Sequence, residues 1–309
     1  MKVAFFSGDE ETLPILTGLF TAVELKVLVT HPARPKGRGL KVQPSSLVQF
    51  AQEKGINFFS PADPNAPDFL NLLRREEIEL GVLVSFRHII KSELLSLLPK
   101  GFVNLHPSLL PKYRGAAPIQ RAILAGEEIT GVTTILMNER VDAGPIIKQE
   151  VVKIGRDETY GELKKRLFQI GAEILRTTLA LLEKGEAKPI PQDENLATYA
   201  PKIKKEELLI TWEKRREAIH NQIRAFSPKP GAFTSFRGKR VIIRKSEIPG
   251  ESIPSFGKPG TIFQSGSNLF VMTKEGFLRI VELKIEGKGV ISGRDFLNGY
   301  KPKVGEGFV

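Results

Sequence analysis

From Val3 to Met137, short β-branched or aromatic runs alternate with segments of helical spacing, and this alternation restricts the fold more than any other feature of the chain. The runs are Val3 to Phe6, Leu25 to Thr30, Ile56 to Phe59, Leu80 to Ser85, Phe102 to Leu105 and Val132 to Met137. Between them, Glu11 to Phe20, Ser46 to Glu53, Pro67 to Arg75, Lys91 to Leu98 and Pro118 to Ala125 carry apolar residues near every third or fourth position. Strand, crossover helix and strand in succession give parallel pairing, so the pattern predicts an α/β domain with an open, doubly wound, mainly parallel sheet of the Rossmann-like kind. Such sheets bind their ligands at the carboxyl ends of the strands.

A helix with Tyr160, Leu163, Leu167, Ile170 and Ile174 on one stripe follows and ends near Gly185. Residues 186–205, with Pro189, Pro191 and many charges, read as a linker. Beyond a short helix at Glu213 to Arg224, strand runs at Phe233 to Phe236, Val241 to Lys245, Thr261 to Phe263, Leu269 to Thr273 and Leu278 to Leu283 suggest a small OB-like β-barrel. At 309 residues the chain exceeds the usual size of a single core. The expected division is therefore 1–185, a linker at 186–205, and 206–309.

No stretch approaches the roughly 20 apolar residues of a membrane span, and the start lacks the pattern of a signal peptide. A cytoplasmic chain follows as the expectation. With no cysteine and four histidines there is little material for a metal centre, so metal-free chemistry is expected. The formal charge is +11, and it is not spread evenly: Pro201 to Val309 holds 21 Lys+Arg against 11 Asp+Glu. A lysine-rich solvated surface would account for this, and so would a polyanionic partner gripped by the barrel.

Asn104 and His106 lie two apart at the end of a strand run, which puts them on one face at the strand tip before Pro107. An amide and an imidazole so placed can hold one oxygen as it gains negative charge, the need of acyl transfer. Taken alone, the histidine reads more readily as one held in a loop, and Asp142 before Ala143-Gly144 more readily as a turn residue.

The wider pattern decides between them. Asn104-Leu105-His106-Pro107-Ser108-Leu109-Leu110-Pro111, then Tyr113-Arg114-Gly115-Ala116-Ala117-Pro118, Val141-Asp142-Ala143-Gly144, Tyr199-Ala200-Pro201-Lys202-Ile203 and Asp295-Phe296-Leu297-Asn298-Gly299-Tyr300 span essentially the whole chain. In these motifs the chain resembles the 10-formyltetrahydrofolate-dependent formyltransferases, and among them those that formylate initiator methionyl-tRNA. The resemblance implies Asn104, His106 and Asp142 as the catalytic trio. It implies 10-formyltetrahydrofolate as cosubstrate, contacted by Phe86, Arg87, His88 and Ile89 and by Ser108, Leu109, Leu110 and Pro111. Where many members of the family have Tyr-Gly, this chain has Phe86-Arg87, and it has Ser7-Gly8-Asp9 where they tend to have threonine and proline.

The segment His31 to Lys41 breaks the strand and helix rhythm with a basic, glycine-bearing loop. Arginine and lysine supply phosphate contacts, so Arg34, Lys36, Arg38 and Lys41, with Lys202, Lys204 and Lys205 at the domain junction, are the expected tRNA contacts. Gly8 belongs to no Gly-x-Gly-x-x-Gly pattern, and Asp9-Glu10-Glu11 would repel a dinucleotide pyrophosphate. Trp212, among lysines and arginines, suits an interface between domains better than an RNA stack. The rival readings are a formyltransferase or formyltetrahydrofolate hydrolase acting on glycinamide ribonucleotide, an amino sugar nucleotide or water, and a non-catalytic RNA-binding protein. Concentration of charge in the last third favours tRNA over a small acceptor, and a monomer is expected.

Overall fold

The alternating runs become strands of one sheet in a computed structural model that describes residues 1–32, 43–250 and 257–309. The described residues divide into two units, Met1–Gly115 with Thr130–Val152 and Lys165–Tyr199, and Ala116–Ile129 with Lys153–Lys164 and Ala200–Val309.

In the first unit the strands are β1 (Lys2–Phe6), β2 (Glu24–Val29), β3 (Asn57–Phe59), β4 (Leu80–Leu83), β5 (Phe102–His106), β6 (Ile129–Leu136) and β7 (Ile146–Lys153). Among the described residues they lie in the order β3-β2-β1-β4-β5-β6-β7. Pairings from β3 to β5 are parallel, as the crossovers require, and β6 then runs antiparallel to β5. Strand order reverses between β1 and β4, so the crevice for a ligand opens at their carboxyl ends and beside β5. The helices α1 (Leu13–Ala22), α2 (Ser46–Lys54), α3 (Pro67–Arg75) and α4 (Ser92–Leu95) connect the parallel strands.

Alternation along β5 sets the direction of its side chains. Phe102 joins Ala4, Phe6, Val27 and Val29 of the sheet and Phe69, Leu70 and Leu73 of α3 in one core cluster. Asn104 and His106 continue that face past the end of the cluster, whereas Leu105 faces the other way. There it meets Gly171 of α6 (Tyr160–Lys184), where an added Cβ would come within 2.7 Å of Leu105 Cδ2. The helix therefore sits directly against the strand that carries the amide and the imidazole.

Among its described residues the second unit contains α5 (Pro118–Ala125), α7 (Arg216–Phe226), α8 (Gly293–Tyr300) and six strands. These are β8 (Ala232–Phe236), β9 (Lys239–Glu247), β10 (Ile262–Ser265), β11 (Asn268–Met272), β12 (Phe277–Ile285) and β13 (Val290–Ser292). They form an antiparallel sheet in the order β10-β11-β12-β9-β8, with β13 on β12. The two edges are joined through the last residues. Ile262 N–H donates to the Glu306 carbonyl and Phe308 N–H to that of Gly260, while Val309 and Ser235 exchange two bonds of 2.9 Å. The tail thus completes the OB-like barrel and removes its open edges.

Trp212 corrects an expectation. Its indole is buried within the second unit, donating from Nε1 to Thr234 Oγ1 at 3.1 Å and stacked on Phe308 at 5.9 Å. The barrel core, rather than a boundary between domains, accounts for it.

Candidate active site

Asn104, His106 and Asp142 come together in the first unit. Register places Asn104 between Leu83 of β4 and Ile135 of β6, and His106 opposite Thr133. Asp142 arrives from the loop joining β6 and β7. Asn104 Nδ2 donates to Asp142 Oδ1 at 3.0 Å, and Gly115 N–H donates to Asp142 Oδ2 at 2.9 Å. His106 Nδ1 lies 3.5 Å from the same Oδ2, and its Nε2 lies 2.9 Å from the Tyr113 carbonyl. A carbonyl only accepts, so Nε2 carries the hydrogen in that bond. Nδ1 has no hydrogen-bond partner among the described residues and is the ring position open to a reacting group. Asn104 uses one of two amide hydrogens on Asp142. Both side chains are nearly buried, 7% and 4% exposed, so their dipoles act where water screens little.

The loop that carries Asp142 is held tightly. Asp142 has φ 51, in the left-handed region. Two residues on, Gly144 tolerates no side chain, because a Cβ there would lie 1.7 Å from the Leu136 carbonyl oxygen. Gln192 Nε2 donates to the carbonyls of Asp142 and Gly144 at 2.8 and 2.7 Å. Its Oε1 accepts from Arg114 Nε and Nη2, and Arg114 also forks onto both oxygens of Glu194 at 3.0 Å. These bonds, with a further one from Arg140, hold the Glu194 carboxyl down to about 2, and the Glu194 bonds raise Arg114 above its ordinary value. The sequence sets Arg114 within a motif but carries no signal at Gln192 or Glu194. They lie in a stretch whose prolines and charges read as a linker, 50 residues from Asp142.

The two segments expected at the folate differ in what they offer. Along Ser108 to Pro111, Ser108 Oγ donates to the Lys112 carbonyl, and the Ser108 carbonyl accepts from Thr133 Oγ1. Leu110 N–H donates to Thr133 Oγ1 and the Leu110 carbonyl accepts from Gln149, so this segment is a bonded wall. By contrast, the carbonyls of Phe86, Arg87 and His88 and the N–H groups of His88 and Ile89 have no hydrogen-bond partner among the described residues. Ser85 has φ 51, which turns the chain as it leaves β4. Phe86 then stacks on His31 with ring centroids 5.0 Å apart and His88 packs against both, while Arg87 and Ile89 are exposed. Beside this loop Gly8 N–H donates to the Ser85 carbonyl at 3.2 Å, and Asp9 accepts from Glu11 N–H and so caps the start of its own helical turn.

Arg34, Lys36, Arg38 and Lys41 lie outside the described residues. Lys202, Lys204 and Lys205 are exposed in the second unit. There Glu207, Glu217, Glu247, Glu275 and Glu306 are paired with arginines, and Asp157 faces His220. Among the described residues no lysine beyond Pro201 forms an ion pair, so the lysine charges remain available to an outside anion. No group of three or more potential metal ligands is found among them either, and no helix is long and apolar enough to cross a membrane.

Comparison with known proteins places these features in a family. Residues 1–179 match the family Formyl transferase and residues 202–301 match Formyl transferase, C-terminal domain. Over the full length the chain is 42% identical to the methionyl-tRNA formyltransferase of Carboxydothermus hydrogenoformans, covering 100% of this chain and 99% of that protein. It is 38% identical to that of Dictyoglomus thermophilum, covering 100% of both. Among solved structures, an N-formyltransferase from Helicobacter canadensis, in complex with folinic acid and dTDP-3-aminofucose, shares the fold. Its TM-score is 0.67 at 19% identity, over 90% of this chain and 97% of that one. HypX from Aquifex aeolicus aligns with a TM-score of 0.66 at 19% identity, over 99% of this chain and 48% of that one. The chain belongs to the methionyl-tRNA formyltransferase family.

Proposed function

We propose that the chain transfers the formyl group of 10-formyltetrahydrofolate to the α-amino group of initiator methionyl-tRNA, with Asn104, His106 and Asp142 as its catalytic residues. The observation that carries the reading is the convergence of amide, imidazole and carboxylate at the carboxyl end of β5. The folate supplies an activated formyl carbonyl. The incoming amine stands beside an ester and is less basic than the roughly 8 of a chain terminus, so no strong base is needed for attack. As the new C–N bond forms, the second Nδ2 hydrogen of Asn104 serves the oxygen that gains negative charge, and His106 adds a second donor as the imidazolium, with Nδ1 as well as Nε2 carrying hydrogen. Each such donor is worth about 10²- to 10³-fold in rate. Asp142, with water, takes the proton that the amine loses and passes one to the leaving nitrogen as its C–N bond breaks, a general acid-base role.

The unpartnered backbone groups of residues 86–89 suit the hydrogen-bonding edge of a pterin, and the bonded wall Ser108 to Pro111 suits its flank. Reading by backbone tolerates the Phe86-Arg87 departure. Arg34, Lys36, Arg38, Lys41, Lys202, Lys204 and Lys205 are assigned to tRNA phosphates. The enzyme is read as a cytoplasmic monomer, and a dimer in sedimentation would correct that. Formyl transfer measured with charged initiator tRNA, free methionine and glycinamide ribonucleotide tests the acceptor: turnover is expected with the tRNA, and equal turnover with either small acceptor would overturn the reading. Asn104→Ala should lower kcat by about 10²- to 10³-fold.

A further inference from the structure

We infer that Gln192 is a positioning residue for this reaction, setting the place of Asp142 through the backbone of its loop. The inference rests on the catalytic reading above and on an arrangement lying wholly within the first unit. Asp142 is gripped at two ends. Its carboxylate meets Asn104 Nδ2 and Gly115 N–H at 3.0 and 2.9 Å, while its own carbonyl and that of Gly144 receive the two amide hydrogens of Gln192 at 2.8 and 2.7 Å. A loop at φ 51, a region L residues enter at a cost, needs such outside bonds to keep one conformation.

Gln192 is itself fixed. Arg114 donates two hydrogens to Oε1 at 3.1 and 2.8 Å, which settles which end of the amide is oxygen and aims Nε2 at the carbonyls. Arg114 is 2% exposed and forked onto Glu194, which also holds Arg140. Immediately after Arg114, Gly115 supplies the N–H on Asp142 Oδ2. One short stretch thus orients the brace with its side chain and the carboxylate with its backbone. Every hydrogen-bonding position of the Gln192 amide is occupied, and no other residue type offers two parallel donors toward the loop and an acceptor toward Arg114 at that length.

Two substitutions separate this role from plain structural support. Gln192→Glu keeps the acceptor for Arg114 and loses both donors to the loop; Gln192→Met keeps the length and loses both. If the brace positions Asp142, both variants should lose roughly 10- to 100-fold in kcat, with KM for tRNA and folate changed less than about three-fold, since misplacement by about 1 Å costs on this order. If Gln192 only satisfies Arg114, Gln192→Glu will turn over like the wild type, and the inference is overturned. Thermal denaturation is followed in parallel, and if Gln192→Met fails to fold, Gln192→Glu alone decides. A wild-type chain that never formylates charged tRNA would sink the catalytic reading instead, so the two failures are distinguishable.

Discussion

Placing a single methyl group at Gly144 probes the site without touching any residue assigned to chemistry. An added Cβ would start 1.7 Å from the Leu136 carbonyl oxygen, and a tolerable contact begins near 3.0 Å, so one side must move by about 1.3 Å. Leu136 belongs to β6 and is paired with Val103 of β5, so the loop yields. That loop also accepts the Leu136 N–H at the Pro145 carbonyl, a bond of 3.0 Å that the movement would stretch. Asp142 lies two residues away, and a shift of this size carries its carboxylate out of the 3.0 Å bond with Asn104. Gly144→Ala should therefore lower kcat on the order of 10²-fold, with KM nearly unchanged. Overpacking of this kind costs typically about 1–3 kcal/mol in stability. Single-turnover formyl transfer, measured on protein shown by circular dichroism to be folded, gives the rate. A folded variant with wild-type turnover would mean that the position of Asp142 is immaterial, and the site as read here would fail.

Three further outcomes follow from other parts of the molecule. Phe308→Ala should destabilise the second unit by about 3–5 kcal/mol, because Phe308 packs on Trp212, Phe236 and Phe296 and the tail that carries it closes the barrel; denaturation followed by the fluorescence of the one tryptophan reads this, and an unshifted midpoint would contradict it. Burial lowers the imidazole of His220 below its ordinary 6.5, so the unfolded state takes up a proton first, and stability full above pH 6.5 is lost as pH falls toward the folded value; the fall in Tm between pH 7 and 5.5 should be smaller in His220→Gln than in the wild type. Replacing Lys202, Lys204 and Lys205 together by alanine should raise KM for tRNA, leave folate affinity alone and flatten the dependence of log KM on log salt by about 2 to 3 units; Arg38→Ala should act in the same direction, and a loss of folate binding in either would show the contacts misplaced.

Much of the first unit was legible because its strands are buried on both faces and read as continuous apolar runs. The run at Phe102 to Leu105 corresponds to β5 within one residue, and the helix at Pro67 to Arg75 coincides with α3. β7 escaped notice because Ile146–Lys153 is an edge strand, mostly exposed and rich in polar residues, with no apolar run to mark it. Closure of the barrel escaped for a different reason: it is made by backbone bonds from residues 306–309, and backbone pairing leaves no residue pattern unless a face is also buried. Asn104, His106 and Asp142, the residues proposed for catalysis, were picked out by the family resemblance that their motifs carry, whereas Gln192 was not. Its value comes from two carbonyls and an arginine that the fold brings to it from 50 residues or more away, and a lone glutamine among prolines carries no periodicity to signal that.

The choice of a neutral amide as the brace has its own logic. In the reaction proposed above Asp142 faces His106 as a carboxylate and stands in a fixed place, and a cation bonded to it directly would compete with the imidazole for it. Arg114 instead neutralises Glu194 and passes only direction to Gln192, whose dipole then grips the loop at its carbonyls. The carboxylate is left to Asn104, Gly115 and His106, none of which carries a permanent charge. Geometry and charge are thus supplied to Asp142 by separate partners. Arginine in place of Gln192 should for that reason be worse than methionine there: it would carry a second cation into the neighbourhood of Arg114 and bring positive charge to the loop. A Gln192→Arg variant whose turnover exceeds that of Gln192→Met would show that the site needs positive charge near Asp142 more than it needs the brace.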